Sequence, residues 1–115
     1  TLGGLYDRST NFKAEFPYNL PPRWLEKKSA VNPTTPFNFV STDDIIGGNS
    51  GSPTINKNAE LIGLIFDGNI QSLVGDYIYD ESVNRAISVD VRAMTEVLRK
   101  VFDANEIADE LTKAS

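Results

Sequence analysis

Gly47-Gly48-Asn49-Ser50-Gly51-Ser52-Pro53, residues 47–53, is the stretch that points most clearly to a fold and a site. Three glycines enclose a serine there, a composition typical of neither a strand nor a helix. Glycine tolerates positive φ and close approach of the backbone, so the chain can turn sharply and expose the Ser50 hydroxyl. The N–H groups of Gly48 and Ser50 could then converge as an oxyanion hole beside a nucleophile. A polar surface loop is the alternative interpretation.

Alternating or continuous apolar runs on both sides of this loop predict β-strands. They lie at residues 37–41, 54–55, 61–66, 77–79 and 87–89. The polar residues 56–59 predict a tight turn that joins the second run to the third. The region 35–90 is therefore predicted to be a β-structure that carries the serine loop.

The two ends of the chain have a different texture. Residues 1–34 are rich in glycine and proline and predict a connecting segment with one short helix that begins near Pro21. Residues 91–115 predict C-terminal helices, with Asp90 as the N-cap of the first. Asp103 and Glu106 have the spacing of a capping box for the last helix. The predicted fold class is thus mainly β with C-terminal α-helices.

The composition excludes several kinds of chemistry within these 115 residues. The sequence has no Cys and no His, so it holds no disulfide, thiolate nucleophile or complete Ser-His-Asp relay, and we predict no metal and no cofactor. The region 31–91 is strongly acidic, which disfavours nucleic acid and favours a cation such as an ammonium group, with ordinary solvation of surface loops as the alternative. No apolar run approaches the roughly 18 residues of a membrane span. Because the chain begins with Thr1, we expect a processed product or an excised piece.

Two resemblances give these features a common interpretation. The loop, the run Leu61-Ile62-Gly63-Leu64-Ile65 and the run Arg85-Ala86-Ile87-Ser88-Val89 before a helix resemble chymotrypsin-like serine peptidases over residues 37–102. That resemblance implies part of the second of two β-barrels, with the His and Asp supplied upstream in the same polypeptide. More closely, four segments and Leu20-Pro21-Pro22-Arg23-Trp24-Leu25 resemble the bacterial serine dipeptidyl-peptidase family that contains dipeptidyl-peptidases 7 and 11. The four segments are residues 37–42, 44–53, 66–69 and 75–80.

This family resemblance implies a role for each candidate site residue. Ser50 is implied as the nucleophile and Gly48 as the donor of an oxyanion-hole N–H. Asp67 is implied to bind the free α-ammonium of a peptide, with a strand-terminal Asp that caps its own turn as the alternative. Gly68 matches the dipeptidyl-peptidase 7 branch, which implies an apolar residue at the cleaved position, whereas the branch that cuts after Asp or Glu carries Arg. A plain turn glycine is the alternative for Gly68.

Two residues before Ser50, Asn49 and Asp44, also have counterparts in related peptidases. Asn49 stands where zymogen-activated relatives carry Asp, so we predict a site that forms without proteolytic activation, since a neutral amide needs no ammonium partner. Asp44 lies six residues before Ser50, where trypsin-like enzymes place the carboxylate that selects Lys or Arg. Both branches of the resembled family share an Asp there, which favours a structural, hydrogen-bonded Asp44.

Together these features predict the C-terminal part of a serine exopeptidase that releases N-terminal dipeptides through an acyl-enzyme on Ser50. The chain alone is expected to be inactive. A chymotrypsin-like endopeptidase, basic-specific through Asp44, and a non-catalytic binding module that retains the serine loop are the alternatives. The resemblance implies peptide substrates with a free N-terminus and a location in the periplasm or at the surface of a Gram-negative bacterium. A homodimeric parent is compatible with it.

Overall fold

A computed structural model describes residues 1–113, except for the side chains of residues 74–76, so Ala114 and Ser115 of the predicted C-terminal helices lie outside the described residues. The chain divides into two compact units. Unit 1 comprises Thr1–Phe37 and the chain from Arg92 onward, and unit 2 comprises Asn38–Val91. The segments predicted as connecting residues 1–34 and as C-terminal helices thus fall into one unit. No helix within residues 1–113 is long and apolar enough to cross a membrane.

Unit 2 is a four-stranded antiparallel sheet with the strand order β1-β4-β3-β2. Its strands are β1 Asn38–Ser41, β2 Pro53–Ile55, β3 Leu61–Gly68 and β4 Ala86–Asp90. Four of the five predicted strand segments are confirmed. The prediction of a strand at residues 77–79 is wrong: these residues follow a 3₁₀ helix, Ile70–Asp76, and join no strand. Tyr79 is held instead by its hydroxyl, which donates a hydrogen bond to the carbonyl oxygen of Thr42.

One face of the sheet is packed so closely that it requires a glycine. An added Cβ at buried Gly63 would lie 2.7 Å from Cε1 of Phe39 and 2.8 Å from the carbonyl oxygen of Val89. On the same face the hydroxyls of Thr54 and Ser88 are buried and lie 2.8 Å apart, so each satisfies the other. The sheet that carries the serine loop therefore combines close packing with a satisfied polar pair.

Unit 1 is helical. It contains α1 Leu2–Asn11, α2 Pro22–Glu26, the 3₁₀ helix Lys28–Ala30, α4 Asn105–Lys113 and, from Arg92 onward, α3 Val91–Lys100. The short helix predicted near Pro21 is α2, whereas α1 lies in a segment expected to be connecting chain. Its buried side chains Leu2 and Tyr6 belong to the core of this unit, together with Val31, Ala93 and Val101. Core packing therefore stabilises a helix that its two N-terminal glycines disfavour.

The capping box predicted for Asp103 and Glu106 is wrong. Asp103 does not cap α4, which begins at Asn105, and it has a φ of +55° between α3 and α4. Its carboxylate instead accepts hydrogen bonds from Arg23 Nη2 at 3.1 Å and from Lys27 Nζ at 3.0 Å. The hydrogen bonds from Lys27 lower the pKa of Asp103 from 3.8, and the two positive charges lower it further against partial desolvation. This cluster ties α2 to the chain between α3 and α4.

Candidate active site

The serine loop has a backbone that two of its glycines make possible. Gly48 has a φ of +104° and Gly51 a φ of +88°, a region that side-chain-bearing residues rarely adopt. An added Cβ at either glycine meets no atom within 4 Å. The requirement for glycine therefore comes from the backbone angle and not from a lack of space.

Asn49 closes the first turn of the loop. Its side-chain Oδ1 accepts the N–H of Ile46 at 2.7 Å, and its own N–H donates to the carbonyl oxygen of Ile46 at 3.1 Å. The amide thus satisfies a main-chain donor without any charged partner. This contact supports the prediction that the loop forms without proteolytic activation, which stays a prediction.

Two backbone hydrogen bonds fix the other end of the loop on β3. The N–H of Gly51 donates to the carbonyl oxygen of Ile65 at 2.7 Å, and the N–H of Ile65 donates to the carbonyl oxygen of Ser52 at 3.0 Å. Ser50 therefore lies between the Asn49 turn on one side and two residues bonded to β3 on the other. Its side chain is exposed.

The polar groups around Ser50 remain available for a ligand. Among the described residues, neither the N–H of Gly48 nor that of Ser50 donates a hydrogen bond, and the Ser50 hydroxyl has no partner. Free N–H groups beside a hydroxyl are the donors that an oxyanion requires. No group of three or more acidic, His or Cys side chains that could hold a metal occurs among these residues.

A cavity of about 480 Å³ brings the predicted site residues together. Ser50, Asp67 and Gly68 all line it. Most of the remaining wall is apolar: Ile45, Ile46, Ile65, Phe66, Ile70 and Leu73. No Lys or Arg lines this cavity in the described part of the chain. Gly48 lies outside the lining, so its contribution would come from the N–H alone.

A β-bulge places Asp67 in the cavity. Ile65 pairs with Ser88 and Asp67 with Ile87, which leaves Phe66 as an extra residue in β3. A bulge interrupts the alternation of faces, so Phe66 and Asp67 are both exposed after the buried Ile65. Oδ1 of Asp67 also accepts the N–H of Gly68 at 2.8 Å, which is the contact of the turn-capping alternative. The carboxylate thus lines the cavity while one oxygen holds the local backbone.

The space directly beside Gly68 is narrow. An added Cβ would lie 2.4 Å from Oγ of Ser72 and 3.3 Å from Cδ1 of Ile45. Ser72, which also lines the cavity, therefore occupies the volume that a side chain at position 68 would need. The apolar preference that the resemblance implies through Gly68 stays a prediction. Gly68 contributes no charge to this wall of the cavity.

Asn69 organises this wall of the cavity, and sequence reasoning missed it. Its Oδ1 accepts the N–H of Ser72 at 3.1 Å and that of Arg85 at 3.0 Å, while its Nδ2 donates to the carbonyl oxygen of Val83 at 2.7 Å. The run Asp67-Gly68-Asn69 signalled only a turn. Asn69 in fact joins the end of β3 to the 3₁₀ helix and to the chain before β4.

Asp44 lies apart from the cavity lining, although its neighbours Ile45 and Ile46 belong to it. Its side chain is exposed and makes no hydrogen bond among the described residues, so the expectation of a hydrogen-bonded Asp44 is wrong. The placement also gives no support to a basic specificity through Asp44.

Desolvation raises the pKa of Tyr79 above 10.0, and the charges of Glu81 and Asp44 raise it further.

The sheet, the serine loop and the C-terminal helices are those of the chymotrypsin-like serine peptidases. More narrowly, the chain belongs to the Peptidase S46 family, whose model matches residues 1–113. It is 47% identical over 118 residues to dipeptidyl-peptidase 7 of Phocaeicola vulgatus, covering 97% of this chain and 16% of that relative. It is 38% identical over 87 residues to an Asp/Glu-specific dipeptidyl-peptidase of Shewanella putrefaciens, covering 76% of this chain and 12% of the relative.

A solved structure gives the same grouping. DPP11 of Porphyromonas endodontalis in complex with the dipeptide Arg-Glu superposes with a TM-score of 0.80 at 30% identity, over 97% of this chain and 17% of the matched one. The chain thus spans about one sixth of the length of its first relatives. The resemblance predicted from the sequence is confirmed at the level of family and fold.

Proposed function

We propose that this chain is the nucleophile-bearing part of a serine dipeptidyl-peptidase. The observation that carries the proposal is the cavity in which Ser50, Asp67 and Gly68 meet. Membership of the Peptidase S46 family and relatives named dipeptidyl-peptidase support it. A His and an Asp from elsewhere in the full-length polypeptide complete the relay, because these residues contain no His.

In the proposed reaction, Oγ of Ser50 attacks the carbonyl carbon of the second residue of the peptide while the His takes its proton. The N–H groups of Gly48 and Ser50 donate to the oxyanion that forms. Collapse of the tetrahedral intermediate expels the shortened peptide as an amine, which receives the proton from the His. Water then hydrolyses the ester on Ser50 and releases the dipeptide.

In the proposed site, Asp67 binds the N-terminus of the substrate and thereby determines which peptide bond is cleaved. A carboxylate at the cavity edge attracts the free α-ammonium of the substrate, and a charge-assisted hydrogen bond fixes its direction. An N-blocked peptide offers no such cation. The distance between this anchor and Ser50 would then determine that cleavage follows the second residue.

We further propose that the cavity takes an apolar side chain at the cleaved position. Its wall is largely apolar and, in the described part of the chain, contains no Lys or Arg that would bind a carboxylate. Burial of an apolar side chain is favourable there, whereas an unpaired Asp or Glu would be costly to desolvate. Relatives of both kinds, dipeptidyl-peptidase 7 and Asp/Glu-specific enzymes, match the chain, so a substrate series is required.

The test uses the full-length protein and two matched carboxylate variants. We expect Asp67→Asn to lower kcat/KM for a dipeptidyl substrate with a free amino group by about 30-fold, since a charge-assisted hydrogen bond typically contributes about 2 kcal/mol. Asp44→Asn removes an exposed carboxylate outside the cavity and should leave kcat/KM within about twofold. Equal turnover of free and N-blocked substrates by the wild type would contradict the proposal.

Location and assembly are proposed from the family resemblance alone. We propose that the full-length protein acts in the periplasm or at the surface of a Gram-negative bacterium and forms a homodimer. Cell fractionation and light scattering of the purified protein test the two statements separately. Recovery in the cytoplasmic fraction would contradict the first, and a monomer at micromolar concentration would contradict the second.

A further inference from the structure

Gly68 and Ser72 lie close together in the wall of the cavity. Both line the cavity, and Oγ of Ser72 lies 2.4 Å from the position of an added Cβ on Gly68. Cβ of Ser72, by contrast, lies 3.4 Å from that position, which is an ordinary van der Waals separation. Cδ1 of Ile45 is also close, at 3.3 Å, so Oγ of Ser72 is the nearest and most severe obstacle to a side chain at position 68 but not the only one.

That oxygen is held in place. Oγ of Ser72 donates to the carbonyl oxygen of Asn69 at 2.6 Å, and the N–H of Ser72 donates to Oδ1 of Asn69 at 3.1 Å. Rotation of the Ser72 side chain away from position 68 would break the first of these bonds. Ser72 therefore resists displacement more than a free surface serine would.

We infer that Gly68 and Ser72 form a coupled pair that determines the size of the side chain accepted at the cleaved position. The inference rests on the proposed function and adds Ser72 as a specificity-determining residue. Gly68 has no side chain, and the Ser72 hydroxyl occupies the volume that a side chain at position 68 would take. This hydroxyl therefore forms part of the cavity wall. A change at either position alters the pocket only as far as the other allows.

A double-mutant cycle in the full-length protein tests this coupling. With a dipeptidyl substrate that has Phe at the cleaved position, we expect Gly68→Ala to lower kcat/KM about tenfold, a typical effect of overpacking. In the Ser72→Ala background the same change should lower it no more than about twofold, because the colliding oxygen is absent. Ser72→Ala alone should raise the preference for Phe over Ala about threefold, less than a typical methylene effect.

Ser82→Ala is the matched control for the cycle. It removes a hydroxyl that bonds to Asp80 at 2.6 Å in the same unit but outside the cavity, so Gly68→Ala should still cost about tenfold in that background. Melting temperatures of all variants separate pocket effects from unfolding. If the wild type releases dipeptides but Gly68→Ala lowers kcat/KM by the same factor in every background, the proposed pair is wrong and the proposed function stands. A wild type that releases no dipeptides overturns the proposed function and the pair together.

Discussion

The backbone at Gly48 offers a sharp test of the proposed oxyanion hole. Gly48 has a φ of +104°, whereas Gly47 has no φ in the left-handed region, and an added Cβ meets nothing within 4 Å at either position. Gly48→Ala therefore strains the backbone without a collision. Gly47→Ala adds the same methyl group to the same loop without that strain, which makes it a matched control.

The expected magnitude follows from the strain and from its effect on the N–H. A side-chain-bearing residue held in such a sparsely populated region costs about 1–3 kcal/mol. The loop relieves this cost by rotating the peptide, which turns the Gly48 N–H away from the oxyanion. Loss of one oxyanion donor typically costs about 3 kcal/mol, so we expect kcat to fall about 100-fold in Gly48→Ala and no more than about threefold in Gly47→Ala.

Steady-state kinetics of the full-length protein on a fluorogenic dipeptidyl substrate measure both variants. Because an oxyanion donor acts in the transition state, the loss should fall on kcat, with KM changed no more than about twofold. Melting temperatures confirm that both variants are folded. Equal losses of kcat in the two variants, or a loss confined to KM, would refute the reasoning.

Three further predictions concern stability. Gly63→Ala should lower the free energy of unfolding by about 1–3 kcal/mol in urea titrations, because the methyl group would overlap the Phe39 ring and a strand carbonyl, whereas exposed Gly4→Ala should not lower it. Asn69→Ala should lower it by about 2–3 kcal/mol, since three side-chain hydrogen bonds are lost, and Asn58→Ala should have little effect; equal values would contradict the organising role of Asn69. Because the folded state lowers the pKa of Asp103 from 3.8, the wild type should be more stable than Asp103→Asn at neutral pH and lose that advantage as the pH falls below 3.8; a difference that is constant with pH would count against the cluster.

The sequence predicted the strands and the serine loop because their signals are local. The alternation around Phe39 and the apolar run of β3 reflect single-strand periodicity, and the glycines around Ser50 reflect backbone angles that few other residues adopt. The cavity was predicted only in part. Asp67 and Gly68 were recognised by resemblance, without the bulge that directs the carboxylate to the cavity side.

The features that were missed depend on tertiary contacts. Helix α1 has two glycines in its first turn, and the first of them, Gly3, is needed because an added Cβ would lie 2.8 Å from the carbonyl oxygen of Pro33, some thirty residues away. Ser72 likewise carries no local signal for its place beside Gly68. The assignment of Asp103 to a capping box failed because Arg23 of α2 and Lys27, the residue after α2, bind its carboxylate. Local patterns contain no information on such partners.

The most direct test of the central claim is the site of covalent labelling in the full-length protein. A dipeptidyl phosphonate with a free amino group should react once per chain, and trypsin should then release the adduct on the peptide 29–57, with fragmentation placing it on Ser50. The N-blocked reagent should label far more slowly. An adduct on another residue, or equal labelling by the free and the blocked reagent, would contradict the assignment of Ser50 as the nucleophile of a dipeptidyl-peptidase.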